Sequence, residues 1–234
     1  MHRYIVIFIL VQLMPVFQLT AQIRAGYTTL ARDSVMLSTG IEMAFKGGTL
    51  YKTDSRGLVE EGTPARDVDL WTPGPMILFS SAGPVKLGAD GRAYYGTLGA
   101  NTLIQCVDNE FREFARGNRV LFNSQGLLVS GTPVGSIVFH LQDQQFMSQP
   151  GTAVKYHPNG RIQFVHPQSN MRIVTSSGSR LVISAESWVE LSDTGKFLRG
   201  KLYRRYMERH ADGTVIEHKA GETIRMDENG NVLR

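Results

Sequence analysis

The stretch VKYHPNGRIQFV, residues 154–165, predicts a complete β-hairpin. Val154 and Tyr156 alternate with a polar residue before the turn His-Pro-Asn-Gly, and Ile162 and Phe164 alternate after it. Because residues two apart lie on the same face of a strand, each arm has one apolar face. The glycine that ends the turn suits a residue at positive φ, where the absence of a Cβ removes the steric cost.

Weaker copies of this hairpin recur along the chain at almost constant intervals. Aligned on the turn glycine, six copies follow one another at spacings of 34 or 35 residues, with apolar residues six before and two after the glycine. A second glycine follows five residues later in four copies, and Val165 takes its place in the fourth copy. The turn glycines are Gly57, Gly91, Gly126, Gly160, Gly195 and Gly230.

Two further apolar pairs complete each period of the repeat. One pair lies 11 and 13 residues after the glycine and the other 14 and 12 before it, a spacing of two that predicts strands. Each unit therefore has four short strands. The segment DNEFREFARG, residues 108–117, could form a short helix by itself, but its counterparts have strand spacing. We predict strand or turn there, and almost no helix in the mature chain.

These units predict an all-β fold built from six repeats of about 35 residues. An open sheet rarely exceeds ~10 strands without curling or splitting, so about 24 strands must coil or pack onto themselves. Two architectures meet this condition: a coiled or self-packed antiparallel β-meander, and a six-bladed β-propeller with one unit per blade. Propeller blades usually need ~40 or more residues and a longer link between blades, so we favour the meander.

The chain divides into three predicted segments. Residues 1–21 have the layout of a secretory signal peptide, since Arg3 precedes an apolar stretch that ends at small residues, with cleavage after Ala21. An uncleaved membrane anchor is the alternative, but polar residues and a proline keep the stretch below the ~20 apolar residues of a spanning helix. Residues 22–42 are a lead-in with the first strand, and residues 43–234 are the β-repeat domain. We expect an exported protein that is periplasmic, surface-attached or secreted.

Composition limits the remaining possibilities. With 42% hydrophobic and 20% charged residues the chain has globular composition, and its formal net charge of +4 is too small to favour nucleic acid as a partner. Cys106 is the single cysteine, so no intramolecular disulfide can form and stability must come from packing. We expect Cys106 to pack as a small apolar residue, the alternative being a thiol that pairs between chains.

Two features of this chain resemble known hairpin repeats. One is the sequence YHPNGRI, and the other is the recurring order of an apolar residue, three turn residues, glycine, one residue and an apolar residue. They are similar to YD repeats and to MORN-type antitoxin repeats, over residues 43–234. The resemblance implies a long curved antiparallel sheet and no catalytic residue. The period of 34 or 35 residues is longer than in those families, and their Tyr-Asp pair or Gly-rich spacing is not kept, so the implication extends to architecture alone.

No local motif for catalysis, metal binding or a cofactor stands out. The chain has no GxSxG elbow, HExxH pair or phosphate-binding glycine loop. The histidines outside the signal fall at different phases of the repeat, and the hairpin places His157 and His166 ~16 Å apart, too far to share an ion. We therefore predict no metal and no cofactor.

One segment gathers basic and aromatic residues, KFLRGKLYRRYMERH at 196–210. Such a mixture can bind an anionic glycan, a lipid headgroup or a nucleic acid strand. The alternative is an exposed strand face whose charges prevent edge-to-edge pairing. The candidate binding residues are Lys196, Arg199, Lys201, Tyr203, Arg204, Arg205, Tyr206 and Arg209.

These features favour an exported, non-enzymatic β-repeat scaffold or binding module, because repeat proteins present long surfaces for binding. The candidate partners are an anionic polysaccharide and a protein at the cell envelope. The rival hypothesis is a cell-wall or glycan-active enzyme whose acid and base carboxylates come from different strands. Two buried carboxylates that face each other in a cleft would favour the enzyme.

Overall fold

The computed structural model describes residues 26–38, 40–209 and 212–233, so the predicted signal peptide lies outside the described residues. Within these ranges every regular element is a β-strand, and no helix has the length and apolarity to cross a membrane. The all-β prediction is confirmed, and segment 108–117 contains a strand as expected.

The strands are short and evenly distributed over the units. They are β1 Thr28–Thr29, β2 Ser34–Ser38, β3 Ile41–Phe45, β4 Leu50–Thr53, β5 Val59–Gly62, β6 Val68–Trp71, β7 Met76–Phe79, β8 Val85–Leu87, β9 Ala93–Thr97, β10 Thr102–Gln105, β11 Phe111–Phe114, β12 Arg119–Phe122, β13 Leu128–Gly131, β14 Val138–Leu141, β15 Gln144–Met147, β16 Val154–Tyr156, β17 Ile162–Val165, β18 Met171–Val174, β19 Arg180–Ile183, β20 Val189–Leu191, β21 Phe197–Lys201, β22 Tyr206–Arg209, β23 Val215–His218, β24 Thr223–Met226 and β25 Val232–Leu233.

The strands of each unit divide between two kinds of sheet. Thirteen strands form one antiparallel sheet, here called the long sheet, in the order β1-β4-β5-β8-β9-β12-β13-β16-β17-β20-β21-β24-β25. In the described part of the chain, the other strands form six separate hairpins, here called cover hairpins: β2-β3, β6-β7, β10-β11, β14-β15, β18-β19 and β22-β23. Two strands of a unit thus enter the long sheet, and the next two pair only with each other.

This topology settles the choice between the two architectures. Strands of successive units are direct neighbours in the long sheet, for example through the pairing of Gly62 with Val85. A propeller would instead keep the four strands of each unit together as one blade. The sheet is an antiparallel meander that packs against its own hairpins, as the spacing favoured, and the propeller alternative is wrong.

The core lies between the long sheet and the cover hairpins. In β8, Val85 and Leu87 are buried while Lys86 between them is exposed, so one face of the long sheet is covered and the other is open. In the hairpin β6-β7, Leu70 and Ile77 are paired across the strands and buried. We call the open face of the long sheet the outer face.

The second glycine of the repeat permits close contact between the two layers. The ring of Phe79 lies on Gly96, where an added Cβ would stand 2.4 Å from the ring atom Cδ1. In the fourth unit Val165 replaces the glycine, and Ser148 replaces the aromatic residue. The two positions correspond because Ser148 forms a β-bridge with Pro167 as Phe79 does with Leu98. The other ring and glycine pairs are Phe45 with Gly62 and Phe114 with Gly131.

The turns of the long sheet have the predicted geometry. All six turn glycines have positive φ, between 75° and 85°. In the first turn the amide of Gly57 donates to the carbonyl of Asp54 at 3.1 Å, and the Asp54 carboxylate accepts from the amides of Arg56 and Leu58. These turns line one edge of the molecule, the turn edge. At the opposite edge, the link edge, the chain passes between the long sheet and the cover hairpins.

Cys106 is buried in the core between layers, and its burial raises the pKa of the thiol. A buried thiol held in its protonated form is a poor nucleophile. The expectation that Cys106 packs as a small apolar residue is confirmed.

Candidate functional site

A single row of side chains crosses the outer face of the long sheet, each residue lying directly opposite the next on the neighbouring strand. Such cross-strand neighbours are ~4.5–5.5 Å apart between Cβ atoms and interact directly. From β4 to β25 the row is Lys52, Glu61, Lys86, Tyr95, Leu121, Ser130, Lys155, Phe164, Glu190, Arg199, Arg225 and Leu233.

At the N-terminal end of this row the charges neutralise one another. Lys52 Nζ lies 2.6 Å from a carboxylate oxygen of Glu60, and Lys86 Nζ lies 3.2 Å from one of Glu61. The hydroxyl of Tyr27 also donates to Glu61, at 2.6 Å. The hydrogen bond to Glu60 raises the pKa of the Lys52 ammonium group. At this end of the row, each of the two lysines is therefore paired with a carboxylate.

At the C-terminal end of the row cations are in excess. Arg199 on β21 lies directly opposite Arg225 on β24, and both are exposed. Like charges directly opposite each other in a sheet destabilise it. Glu190 stands on the other side of Arg199, yet among the described residues no ion pair involves Arg199, Arg225 or Lys201. This end of the outer face therefore carries three cations that are not held in ion pairs among the described residues.

The same region contains an open groove of about 370 Å³. This volume lies at the lower end of the ~300–1,000 Å³ range of small-molecule sites. Trp188 lies in the groove with 46% of its surface exposed, and its ring system and the His166 ring are nearly perpendicular with centroids 5.7 Å apart. The lining residues are Phe164, Glu186, Ser187, Trp188, Glu190, Arg199, Gly200, Lys201 and Thr223.

The structure distributes the predicted basic segment over several surfaces. Arg199 and Lys201 lie on the outer face and line the groove. Lys196 follows the fifth turn at the turn edge, where its amide donates to the hydroxyl of Ser192 at 3.1 Å. At the link edge the Leu202 amide donates a hydrogen bond to a residue of the sixth unit. The chain then reverses direction and continues into β22.

The remaining candidates lie beyond this reversal. Tyr203, Arg204 and Arg205 are exposed at the link edge, and Arg209 is exposed on the cover hairpin β22-β23. Tyr206 is only 6% exposed and packs in the core. Of the eight candidates, only Arg199 and Lys201 lie in the groove, and the binding role of all eight stays a prediction.

Sequence reasoning missed the other charged and aromatic members of this site. Trp188 and Arg225 lie outside the segment 196–210, so a search for a basic run could not include them. The signal for Trp188 was the phase of the repeat: it directly precedes β20, at an outward position, since its neighbour Val189 is buried. The five other units hold Leu50, Pro84, Arg119, Ala153 and Thr223 at the position of Trp188.

The most connected histidine belongs to the sixth cover hairpin. The ring nitrogens of His218 lie 3.2 Å from a carboxylate oxygen of Glu208 and 3.2 Å from one of Glu222, and the ring stacks on Tyr206. The amide of Lys219 and the His218 ring lower the pKa of Glu222. No cluster of three or more His, Cys, Asp or Glu residues in the described ranges is arranged to hold a metal ion.

The rival enzyme hypothesis required two buried, facing carboxylates. Within residues 26–38, 40–209 and 212–233 no Asp or Glu is buried. In the groove, Glu186 is exposed and Glu190 is partly exposed. The described residues therefore lack the arrangement that would favour an acid and base pair.

Comparison with known proteins adds no assignment. The chain matches no protein-family model, and no curated protein sequence matches it. The resemblance to YD and MORN-type repeats accordingly stays a prediction.

Proposed function

We propose that this protein is an exported, non-enzymatic β-repeat binding module whose C-terminal outer face binds an anionic glycan. The observation that carries the proposal is the direct opposition of Arg199 and Arg225, neither of which forms an ion pair with an acidic side chain of the described residues. An anionic group placed between the two guanidinium groups would relieve their repulsion. Arginine suits this role because its planar fork donates two parallel hydrogen bonds to a carboxylate or sulfate.

The shape of the surface supports an extended ligand. Neighbouring strands lie ~4.8 Å apart, so the stretch of the row from Phe164 to Arg225 spans ~14 Å across four strands. The groove beside this stretch is open to solvent rather than enclosed, since Trp188 and Lys201 are both exposed. A polymer can therefore lie along the surface and extend beyond it at either end.

The location and the choice of ligand rest on different features. Export is proposed from the signal-peptide layout of residues 1–21. Among polyanions, a glycan is favoured over nucleic acid because the net charge is only +4 and because Glu186 and Glu190 line the same groove as the cations. These carboxylates can accept hydrogen bonds from sugar hydroxyls, which a nucleic acid backbone offers in smaller number. A protein partner with an acidic surface is the alternative ligand.

Retention on immobilised heparin tests the proposal with a charge-matched control. The Arg199→Gln/Arg225→Gln double variant should bind about a hundredfold more weakly, because each of the two hydrogen bonds to a charged group contributes ~1.5–3 kcal/mol. It should therefore elute at lower NaCl concentration than the parent. The control is Lys52→Gln/Lys86→Gln, which loses the same formal charge from the neutralised end of the row.

The control variant should elute close to the parent. Equal loss of retention in both double variants would contradict the proposal, because it would show that total charge, not the C-terminal array, governs binding. Elution of the Arg199→Gln/Arg225→Gln variant at the same NaCl concentration as the parent would also contradict the proposal.

A further inference from the structure

We infer that Trp188 is the stacking platform of a subsite that holds one carboxylated sugar residue, a uronic acid, of the bound glycan. This inference rests on the proposed function and specifies the chemistry of its ligand. Trp188 is the large aromatic residue of the groove that is most open to solvent, at 46% exposure, and it lies beside both cations and carboxylates.

The position of Trp188 is set by its neighbours. Val189, the next residue, is buried under the long sheet and fixes the strand, so the indole must project from the outer face. The His166 ring meets the indole almost at a right angle, 78° between planes, which supports one side of the indole. A supported indole loses little conformational freedom when a ligand stacks on it.

The groove supplies each kind of contact that a uronic acid requires. The apolar C–H face of a sugar ring stacks on the indole, which presents an apolar body to solvent. The sugar carboxylate is matched by the Arg199 guanidinium and the Lys201 ammonium group. The hydroxyl groups of the sugar are donors, and the carboxylates of Glu186 and Glu190 line the same groove as acceptors.

The presence of acceptors beside cations distinguishes this ligand from other polyanions. A nucleotide also offers a ring that stacks on tryptophan, but its charged group is a phosphate and its backbone carries few hydroxyl donors. Polyphosphate has no apolar face. A ligand with one carboxylate, several hydroxyls and an apolar ring face uses the indole, the cations and the acidic side chains together.

The chain offers a matched control for the indole. It contains two tryptophans, and the other, Trp71, is 56% exposed at the end of β6 on a cover hairpin, opposite Met76 and away from the outer face. In a Trp71→Phe variant, Trp188 is the only source of tryptophan fluorescence. In a Trp188→Phe variant, Trp71 is the only source.

Fluorescence titration with hexagalacturonate, which carries carboxylates and no sulfate, tests the inference. The emission of the Trp71→Phe variant should change and saturate, while that of the Trp188→Phe variant should stay constant. Trp188→Ala should bind hexagalacturonate about tenfold more weakly by calorimetry, since aromatic stacking contributes up to ~1.5 kcal/mol. Its melting temperature should remain that of the parent, because the side chain is exposed.

The outcomes separate this inference from the proposed function. If Arg199→Gln/Arg225→Gln loses hexagalacturonate binding while Trp188→Ala keeps it, the subsite is wrong and the proposed function stands. If neither variant changes binding, both fail. Tighter binding of oligo-dT than of hexagalacturonate would overturn the sugar assignment in favour of nucleic acid, and preference for a sulfated oligosaccharide without uronic acid would overturn the carboxylate assignment.

Discussion

The two ends of the long sheet present the same positions of the repeat with opposite charge arrangements. Glu61 and Lys86 at the N-terminal end face each other across strands as Arg199 and Arg225 do at the C-terminal end. The first pair forms an ion pair at 3.2 Å, whereas the second is a pair of like charges. The backbone register is the same, so the difference lies in the side chains alone.

This difference indicates that the C-terminal end is not arranged for stability. Exposed ion pairs contribute ~0–1 kcal/mol, and replacing an opposed acid by arginine removes even that gain. An unfavourable surface arrangement at one end of an otherwise regular repeat is typical of a binding site, where the ligand supplies the missing charge. The N-terminal end serves as an internal reference for the same scaffold without that feature.

The scaffold beneath both ends of the long sheet should be equivalent, and substitutions of the second glycine of the repeat should have the largest effects on it. An added Cβ would stand 2.4 Å from the Phe79 ring at Gly96 and 2.8 Å from Ile183 Cγ2 at Gly200. Gly96→Val and Gly200→Val should each lower the free energy of unfolding by about 1–3 kcal/mol in urea titrations, because overpacking forces both layers apart.

The fourth unit shows how this overpacking is relieved. There Val165 and Ser148 occupy the two positions, and Ser148 Oγ accepts a hydrogen bond from the Ile137 amide at 2.8 Å. We expect Phe79→Ser/Gly96→Val to be more stable than the sum of its single changes by ~0.5–3 kcal/mol, the range for residues in contact. Strict additivity would contradict the contact between the layers.

Single charge removals should produce the smallest effects, with opposite signs at the two ends. At low salt Lys86→Gln should slightly lower the melting temperature, because it breaks the pair with Glu61. Arg225→Gln should slightly raise it, because it removes a like charge from Arg199. Both shifts should vanish in ~1 M NaCl, where the Debye length is ~3 Å. Shifts of equal sign in calorimetric scans would remove the basis of the comparison.

The sequence predicted the units of this fold better than their arrangement. Turn glycines such as Gly160 and alternating pairs such as Val154 and Tyr156 identify strands through local geometry, and those strands are present. Alternation shows that a strand has one buried face, but it does not identify the strand that pairs with it. The division into a long sheet and cover hairpins therefore had no local signal.

The candidate site was predicted in part, for a related reason. A run of basic residues is a one-dimensional pattern, and the chain reverses after Lys201, so Arg204 and Arg205 lie at the link edge. Trp188, which directly precedes β20, lines the groove, and Arg225 on β24 lies opposite Arg199, so both come from segments outside the basic run. Aligning outward positions between units would have revealed them, since the repeat phase places both on the outer face.

A variant with unchanged net charge tests the central claim most directly. Glu61→Gln/Arg199→Gln removes one anion from the N-terminal end and one cation from the C-terminal end, so the formal net charge stays at +4. In calorimetric titration with a heparin hexasaccharide, the account predicts about tenfold weaker binding than the parent, because the Arg199 contribution is lost. Affinity equal to that of the parent would contradict the account, since it would mean that overall charge, and not the C-terminal array, binds the glycan.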